Sequence, residues 1–318
     1  MSENLIYVAL STFALEETLP KKMLEDSGVP FRIHSSGKRI TANELIESAG
    51  DATVILAGVE TYDVTVLEML KKLRCISRLG AGVDSIDLKV AKKKNIVVMN
   101  TPMIPVEAVA ELALSMILSL SRNLYTQSSL MHARRWERLP AHLLSGRTVG
   151  LFGFGKIGQR VAQLCNAFKA KVIAYDPFID TGIAKMLGVE IVDKQKLLKE
   201  ADIISIHASS NKVNPVIIGS DEIATMKEGV ILVNLARGEM VDEVSLIDAL
   251  RSGKIAGAGL DVFSNEPYLG PLCDFEQVIL TPHCATLTFE SRSAMEIQCV
   301  ENAINYLNNQ IVIDRRVI

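Results

Sequence analysis

The sequence predicts an α/β protein with two parallel sheets, and two observations predict it. Short apolar runs of strand length alternate with stretches of helical periodicity along nearly the whole chain, a rhythm that builds parallel sheets because each return needs a crossover. One stretch, Thr148 to Asp176, shows that rhythm in compact form. An apolar strand (Val149, Leu151, Phe152) enters Gly153-Phe-Gly155-Lys156-Ile157-Gly158, a helical pattern follows, a second strand (Val172, Ile173, Ala174) comes next, and Asp176 closes it. This is a mononucleotide-binding βαβ unit. Gly153 permits the tight turn, Gly155 lets a pyrophosphate approach the backbone, and Gly158 lets the helix pack on the strand. The helix N-terminus then faces the phosphates with free N–H groups, those of Lys156 and Ile157 among them. Asp176, 18 residues past Gly158, stands where a carboxylate accepts hydrogen bonds from the adenosine ribose hydroxyls and repels a 2′-phosphate. The expected cofactor is therefore NAD rather than NADP.

Before that unit, strands are expected at Ile6 to Leu10, Phe31 to Ile33, Thr53 to Leu56, Cys75 to Ser77 and Ile96 to Met99. Helices are expected through Leu15 to Leu24, from Thr41, at Val64 to Leu73 and at Leu88 to Lys93. Thr41 with Glu44 makes a capping-box signature. This alternation gives the first segment a parallel sheet of its own. Asn100-Thr101-Pro102 then redirects the chain, since the residue before proline avoids helix, and a hinge is expected there. An apolar helix, Val106 to Leu120, leads into Ser121 to Ser145, which is polar and rich in arginine (Arg134, Arg135, Arg138) around Trp136. By itself that stretch reads as a solvated loop. Later strands are expected at Asp202 to Ile206, Val230 to Asn234, Ala256 to Leu260 and Val278 to Leu280, with a helix at Asp242 to Arg251. The count matches a six-stranded nucleotide-binding domain. Thr288 to Asn309 carries a helical stripe (Ala294, Ile297, Val300, Ile304, Leu307) that needs an earlier element to pack against.

Composition narrows the function classes. With 48% hydrophobic and 22% charged residues, the chain has the make-up of a soluble enzyme. A net charge of -3 leaves no basic footprint, so neither nucleic acid nor a membrane surface is an expected partner. Cys75, Cys165, Cys273, Cys284 and Cys299 are scattered, without the spacing of a zinc site, and read as reduced thiols; no metal is expected. The N-terminus lacks a signal-like apolar core, and Val106 to Leu120 is too short and too interrupted by Glu107 and Glu111 to span a bilayer. The expected location is cytoplasmic.

Three late loops bring polar groups to strand ends, where open α/β sheets bind ligands: Asn234 to Gly238, Leu260 to Pro267, and Thr281 to Ala285. Arg237 offers a guanidinium for a carboxylate or polarised carbonyl. Glu266 and His283 offer an imidazole whose proton affinity a neighbouring carboxylate raises. Reducing a ketone by hydride needs a proton donor for the developing alkoxide and a cation to hold the substrate, and these three residues supply both.

Together with Arg78-Leu-Gly80-Ala81-Gly82-Val83-Asp84-Ser-Ile-Asp87, Asn100-Thr-Pro, Val109-Ala-Glu111-Leu-Ala, Gly257 to Pro267 and Thr281-Pro-His283, these motifs resemble the D-2-hydroxyacid dehydrogenase family over nearly the whole chain. Within it they look like the phosphoglycerate dehydrogenase-like members. The resemblance implies an NAD-dependent enzyme interconverting a D-2-hydroxy acid and its 2-oxo acid. His283 is then the general acid/base, Glu266 tunes it, and Arg237 binds the substrate's carboxylate and carbonyl. It also implies that backbone amides near Ala81, Gly82 and Val83 grip the carboxylate, that Arg78 is a substrate-binding residue, and that Asp261 orients the nicotinamide carboxamide. Ala236 and His207 join the cofactor contacts. The implied architecture is a Rossmann-type NAD-binding domain, residues 100–287, inserted into a smaller flavodoxin-like substrate domain, residues 1–99 plus 288–318, with a cleft whose closure excludes water. The 121–145 segment resembles the family's dimerisation arm, which implies a homodimer.

Several positions depart from the family's phosphoglycerate-specific pattern. The loop after the third strand reads Leu56-Ala57-Gly58-Val59-Glu60 where such relatives commonly carry an arginine for the phosphate, leaving Arg78 alone of that pair. Glu60 would disfavour a dianionic substrate if it faced the cleft. His207 is followed by Ala-Ser-Ser-Asn, without the family's usual proline, which alters the expected cofactor contacts. With the sequence ending at Ile318, an appended regulatory domain is not expected. Two alternatives stay open at this stage: an NAD(H)-sensing binding protein of corepressor type, whose relatives retain the same three residues, and a phosphonate or phosphite oxidoreductase.

Overall fold

The computed structural model describes residues 4–15, 18–209 and 216–318. The chain forms two compact units, Met1–Pro105 with Thr286–Ile318, and Val106–Ala285. The first unit runs β1 (Ile6–Val8), α1 (Leu19–Asp26), β2 (Phe31–Ile33), α2 (Ala42–Ala49), β3 (Val54–Ala57), α3 (Val64–Met69), β4 (Cys75–Arg78), α4 (Leu88–Lys93) and β5 (Val97–Met99). After α5 (Pro105–Ser121) and α6 (Leu124–His132), the second unit runs β6 (Thr148–Phe152), α7 (Lys156–Ala167), β7 (Lys171–Tyr175), α8 (Thr181–Met186), β8 (Glu190–Ile191), α9 (Lys194–Glu200) and β9 (Ile203–Ile206). It continues through α10 (Ser220–Thr225), β10 (Val230–Asn234), α11 (Glu243–Ser252), β11 (Ile255–Leu260) and β12 (Val278–Leu280), and α12 (Phe289–Leu307) returns to the first unit.

The first sheet has the order β2-β1-β3-β4-β5 and all its pairs are parallel. Because side chains alternate across a strand, Ile6 and Val8 join Val54, Leu56, Met295 and Val300 in one core, while Tyr7 joins Ile55, Ile76, Leu45 and Leu67 in the other. The five strands are thus covered on both faces, with α12 on the first. Its chain end lies along β5, where Val317 N–H donates to the Val98 carbonyl at 2.8 Å.

The second sheet, also parallel, has the order β12-β11-β10-β9-β6-β7-β8. Strand order reverses between β6 and β9, the point where such sheets open a crevice at their carboxyl ends. All five residues of β10 are buried, as expected for a strand covered on both faces.

Three elements differ from the sequence reading. The second sheet has seven strands rather than six. The extra one, β8, is two exposed residues paired with Ile173 and Ala174, too short to leave an apolar run. The first helix starts at Leu19, with Pro20 in its first turn where the missing N–H costs nothing, rather than at Leu15. The 121–145 stretch holds α6, nine residues long, where the residue pattern alone suggested a loop. The first unit also extends past residue 99: Asn100 N–H donates to the Arg315 carbonyl at 2.9 Å and Thr101 N–H to the Gly80 carbonyl at 3.2 Å. The Thr41–Glu44 capping box is present. Among the described residues, no helix is long and apolar enough to cross a membrane, and no group of three or more His, Cys, Asp or Glu is placed to hold a metal ion.

Candidate active site

In the second unit, the residues singled out by sequence gather at the carboxyl ends of adjacent parallel strands. β6 leads into Gly153, at φ 92°. A Cβ there would stand 2.5 Å from the Ala208 nitrogen, and one on Gly158 would stand 2.3 Å from the Gly153 carbonyl oxygen, so both positions exclude a side chain. A Cβ on Gly155 would meet nothing within 4 Å. That open position is where a phosphate can reach the backbone. Gly155 caps the 12-residue α7, whose first amides, including those of Lys156 and Ile157, lack acceptors within the helix. Asp176 follows β7; its Oδ2 accepts the Phe154 N–H at 2.8 Å and its Oδ1 the Phe178 N–H at 2.8 Å. The acid assigned to the ribose therefore also braces the glycine turn, and each oxygen retains acceptor capacity for a hydroxyl. The turn, the helix start and the acid fit a dinucleotide.

β9 leads to His207, whose N–H donates to the Phe152 carbonyl at 2.7 Å and whose Nε2 lies 2.8 Å from Ser205 Oγ. Burial pushes its imidazole down to about 4, so it is neutral at pH 7. Ser210 and Asn211, part of the departure noted after His207, lie outside the described residues.

β10 ends in buried Asn234, which the sequence places at the start of the Arg237 loop without a role of its own. Its Oδ1 accepts the Ala236 N–H at 3.0 Å and its Nδ2 donates to the Arg237 carbonyl at 2.8 Å, which fixes the loop carrying Arg237. The half-buried Arg237 guanidinium donates to the Ala236 carbonyl at 2.6 Å. A Cβ on Gly238 would stand 1.9 Å from the Phe263 carbonyl carbon, so this loop lies directly against the one after β11.

That next loop starts at Asp261, only 1% exposed. Its Oδ1 accepts from Thr281 Oγ1 at 2.5 Å and from Cys284 N–H at 2.8 Å, and its Oδ2 accepts from Ala285 N–H at 2.9 Å. All three donors flank His283, which itself holds a left-handed φ of 52°. Asp261 is thus engaged with the histidine loop, a contact that sequence could not show. The Thr281 hydroxyl is the other participant that the sequence places in a candidate loop without a role; a polar residue at a strand end was the available signal. Burial, reinforced by the Asp261 charge, pushes the Cys284 thiol up.

Glu266 and His283 meet: Glu266 Oε2 lies 2.8 Å from His283 Nδ1, and Glu266 Oε1 accepts the Phe263 N–H at 3.1 Å. An ionised carboxylate only accepts, so Nδ1 carries the proton and Nε2 is the nitrogen left for other chemistry. The His283 side chain is 49% exposed, enough for a ligand to reach it.

In the first unit the candidate groups follow β4. Gly80, at φ 114°, donates its N–H to Thr101 Oγ1 at 2.7 Å, and Asn100 Nδ2 donates to the Ala81 carbonyl at 2.8 Å. With its carbonyls so tied, the loop presents the amides of Ala81, Gly82 and Val83, which have no acceptor among the described residues. Successive free amides of this kind form a nest for an anion. The half-buried Arg78 guanidinium folds over the same loop and donates to the Leu79 carbonyl. Glu60 is turned inward at 4% exposure, accepting the Gly58 N–H at 2.8 Å and the Tyr62 hydroxyl at 2.7 Å on Oε1.

A reversed parallel sheet with a glycine turn, a bracing acid and a histidine–carboxylate pair defines a dinucleotide-binding α/β protein. Residues 114–285 match the model of the D-isomer specific 2-hydroxyacid dehydrogenase NAD binding domain. The chain is 37% identical over 275 residues to a D-3-phosphoglycerate dehydrogenase of Mycobacterium leprae, covering 85% of this chain and 52% of that one. It is 38% identical over 282 residues to a hydroxypyruvate reductase of Thermotoga maritima, covering 86% of this chain and 90% of that one. A D-lactate dehydrogenase from Aquifex aeolicus, solved with NAD and lactic acid, superposes with a TM-score of 0.87 at 29% identity and covers 99% of both chains. The chain belongs to the D-isomer specific 2-hydroxyacid dehydrogenase family. It spans about half the length of the phosphoglycerate dehydrogenases it matches.

Proposed function

We propose that the protein is an NAD-dependent oxidoreductase that interconverts a D-2-hydroxy acid and its 2-oxo acid. The observation that carries this reading is the 2.8 Å contact between His283 Nδ1 and Glu266 Oε2 at the sheet edge that also holds the glycine turn. Bound NADH supplies the hydride that reduces the carbonyl carbon. In reduction the His283 imidazolium, protonated on both nitrogens, gives its Nε2 proton to the carbonyl oxygen as that atom gains charge; in oxidation the neutral ring, with its proton on Nδ1, takes one at Nε2. Glu266 holds the ring in the required tautomer and stabilises the imidazolium. Arg237 binds the substrate carboxylate and polarises the carbonyl. The amides of Ala81, Gly82 and Val83, with Arg78, take the carboxylate. Gly153 to Gly158 bind the pyrophosphate, and Asp176 selects NAD over NADP by repelling a 2′-phosphate. Ala236 and His207 complete the cofactor contacts. Asp261 positions the His283 loop beside the nicotinamide. The 121–145 segment exposes Leu124, Tyr125, Met131 and Trp136, which supports a homodimer through that arm.

The test is to mix the protein with NADH and a panel of 2-oxo acids, following absorbance at the reduced nicotinamide band. Oxidation by at least one acid is expected. Bound NADH with no turnover across the panel would remove the reading.

A further inference from the structure

A pocket lies in the seven-stranded unit at the edge opposite the candidate active site. Because the strands of that sheet are all parallel, the amino ends of β6, β10, β11 and β12 share this edge, and the five residues of β10 put roughly 16 Å between it and the Arg237 loop. The pocket, of about 150 Å³, is formed by this edge and the end of α5, and its wall includes Leu120, Ser121, Arg147, Ile231, Glu276 and Ile279. Its frame is tied together: His142 N–H donates to the Ser121 carbonyl at 2.9 Å, Asn123 Nδ2 to the Pro140 carbonyl at 2.7 Å, and Thr126 Oγ1 to the Glu276 carbonyl at 3.1 Å. Arg147 is held by its main chain, its N–H donating to the Leu144 carbonyl at 3.1 Å and its carbonyl accepting from the Lys171 N–H at 2.9 Å. Two polar groups of the wall are buried without a hydrogen-bond partner among the described residues: the Ser121 hydroxyl, on a residue only 2% exposed, and Nη1 of Arg147. Buried donors are seldom left unmatched, because an unmade bond costs the full desolvation of the group. The ordinary uses of an arginine at this place are filled by other groups. As a cap on α5 it would bond the last carbonyls, yet those of Leu118, Leu120 and Ser121 accept the N–H groups of Arg122, Asn123 and His142. As an ion-pair partner it would take Asp202, at the start of neighbouring β9, yet each oxygen of that acid is engaged, with Lys227 Nζ at 2.8 Å and with the Thr148 N–H at 2.8 Å.

We infer that this pocket binds a small monocarboxylate with a short apolar tail, its carboxylate taken by Arg147 Nη1 and the Ser121 hydroxyl and its tail laid on Leu120, Ile231 and Ile279. A guanidinium and a hydroxyl are donors that carboxylate oxygens accept from, and the guanidinium bond is charge-assisted. What surrounds them sets the class of ligand. The Glu276 carboxylate and the carbonyl end of α5 both oppose a second negative charge, which disfavours a phosphate dianion or a dicarboxylate. Three aliphatic side chains add nothing for a purely polar ion but cover a hydrocarbon tail. A pocket of this volume suits about six non-hydrogen atoms, the number in a four-carbon acid. All of its lining residues belong to the unit Val106–Ala285, so the site is complete within it. It stands apart from the function proposed above and does not rest on it.

The experiment titrates sodium butyrate into the full chain and follows backbone amide resonances, with butyramide as the neutral isostere and inorganic phosphate as the more highly charged anion. Saturable shifts are expected at the amides of Ser121, Asn123 and Gln277, with butyramide and phosphate binding there at least about 10-fold more weakly. Arg147→Gln should weaken butyrate at these amides about 10-fold or more, and Ser121→Ala about 3-fold. The amides of Ala81, Gly82 and Val83 are read in the same spectra. Any butyrate held by that nest shifts them, and Arg147→Gln should leave their response unaltered. Shifts confined to the nest or absent altogether, an equal response to butyramide, tighter binding of phosphate, or an unchanged affinity in a folded Arg147→Gln variant would overturn the inference. Should Arg147→Gln fail to fold, Ser121→Ala and the contrast between butyrate and butyramide decide it, and an unaltered affinity in the first or equal binding in the second overturns it.

Discussion

On the function proposed, the carboxyl edge of the seven-stranded sheet works through side chains, Arg237, Glu266 and His283, and the corresponding edge of the five-stranded sheet through the backbone amides of Ala81, Gly82 and Val83. Both edges are stiffened in the same way. The three buried carboxylates among the described residues, Glu60, Asp261 and Glu296, each accept backbone N–H groups of a loop at a sheet end. Glu296 does so for Ala14 at 2.9 Å, with Arg292 Nε donating to it at 2.7 Å. What differs is what the brace holds. Asp261 fixes the loop of an imidazole to which the proposed function gives proton exchange, whereas Glu60 fixes a loop beside amides to which it gives binding alone. Hydrogen bonds to a buried acceptor are worth keeping because an unmade one costs its full desolvation.

If the first edge reacts and the second only binds, substitutions at the two should separate in kinetics. His283→Ala is expected to give the largest effect, a fall in turnover of about 100-fold or more with NADH affinity preserved, measured by steady-state kinetics beside fluorescence titration of NADH. Unchanged turnover would break the comparison at its stronger side. Asn100→Ala removes the donor to the Ala81 carbonyl and loosens the nest. It should raise KM for the 2-oxo acid about 3- to 10-fold and leave kcat nearly unaltered, the signature of lost uniform binding. A matching fall in kcat would mean that the amide edge takes part in the chemical step.

The same contrast governs what can be read from sequence. The glycine turn, Asp176 and the histidine loop are legible because their constraints are local: glycine spacing, a strand before, a helix after, an acid at the next strand end. The nest at Ala81 to Val83 is made of main chain, and only the resemblance pointed to it; its glycines are compatible with many turns. Braces are harder still. Asp261 meets Thr281, Cys284 and Ala285 across two strand ends, and nothing in the spacing of those residues announces it. Glu60 looks like a surface acid in a loop and is buried because Tyr62 and Gly58 offer it donors. β8 escaped notice for the opposite reason, being two exposed residues on an edge, held by pairing rather than by burial.

The smallest expected effect probes the brace under the binding edge. Burial raises Glu60 above the ordinary carboxylate value, while its bond from the Tyr62 hydroxyl pulls it back down. Tyr62 itself is pushed well above the usual phenol range by burial, so it remains a donor throughout the accessible range. With the folded value raised, the folded form holds the Glu60 proton more tightly than the unfolded chain does. The stability this contributes is present below the unfolded carboxylate value and is lost as pH rises through the folded one. Tyr62→Phe deletes the donor that favours the ionised form and so moves the folded value higher. The substitution should cost about 1 kcal/mol near neutral pH, with a smaller loss at acid pH where Glu60 is protonated. Denaturant unfolding across that range, in the unsubstituted and Tyr62→Phe proteins, measures it. A cost independent of pH would show that the hydroxyl contributes packing alone, and that the loop after β3 does not depend on holding Glu60 ionised.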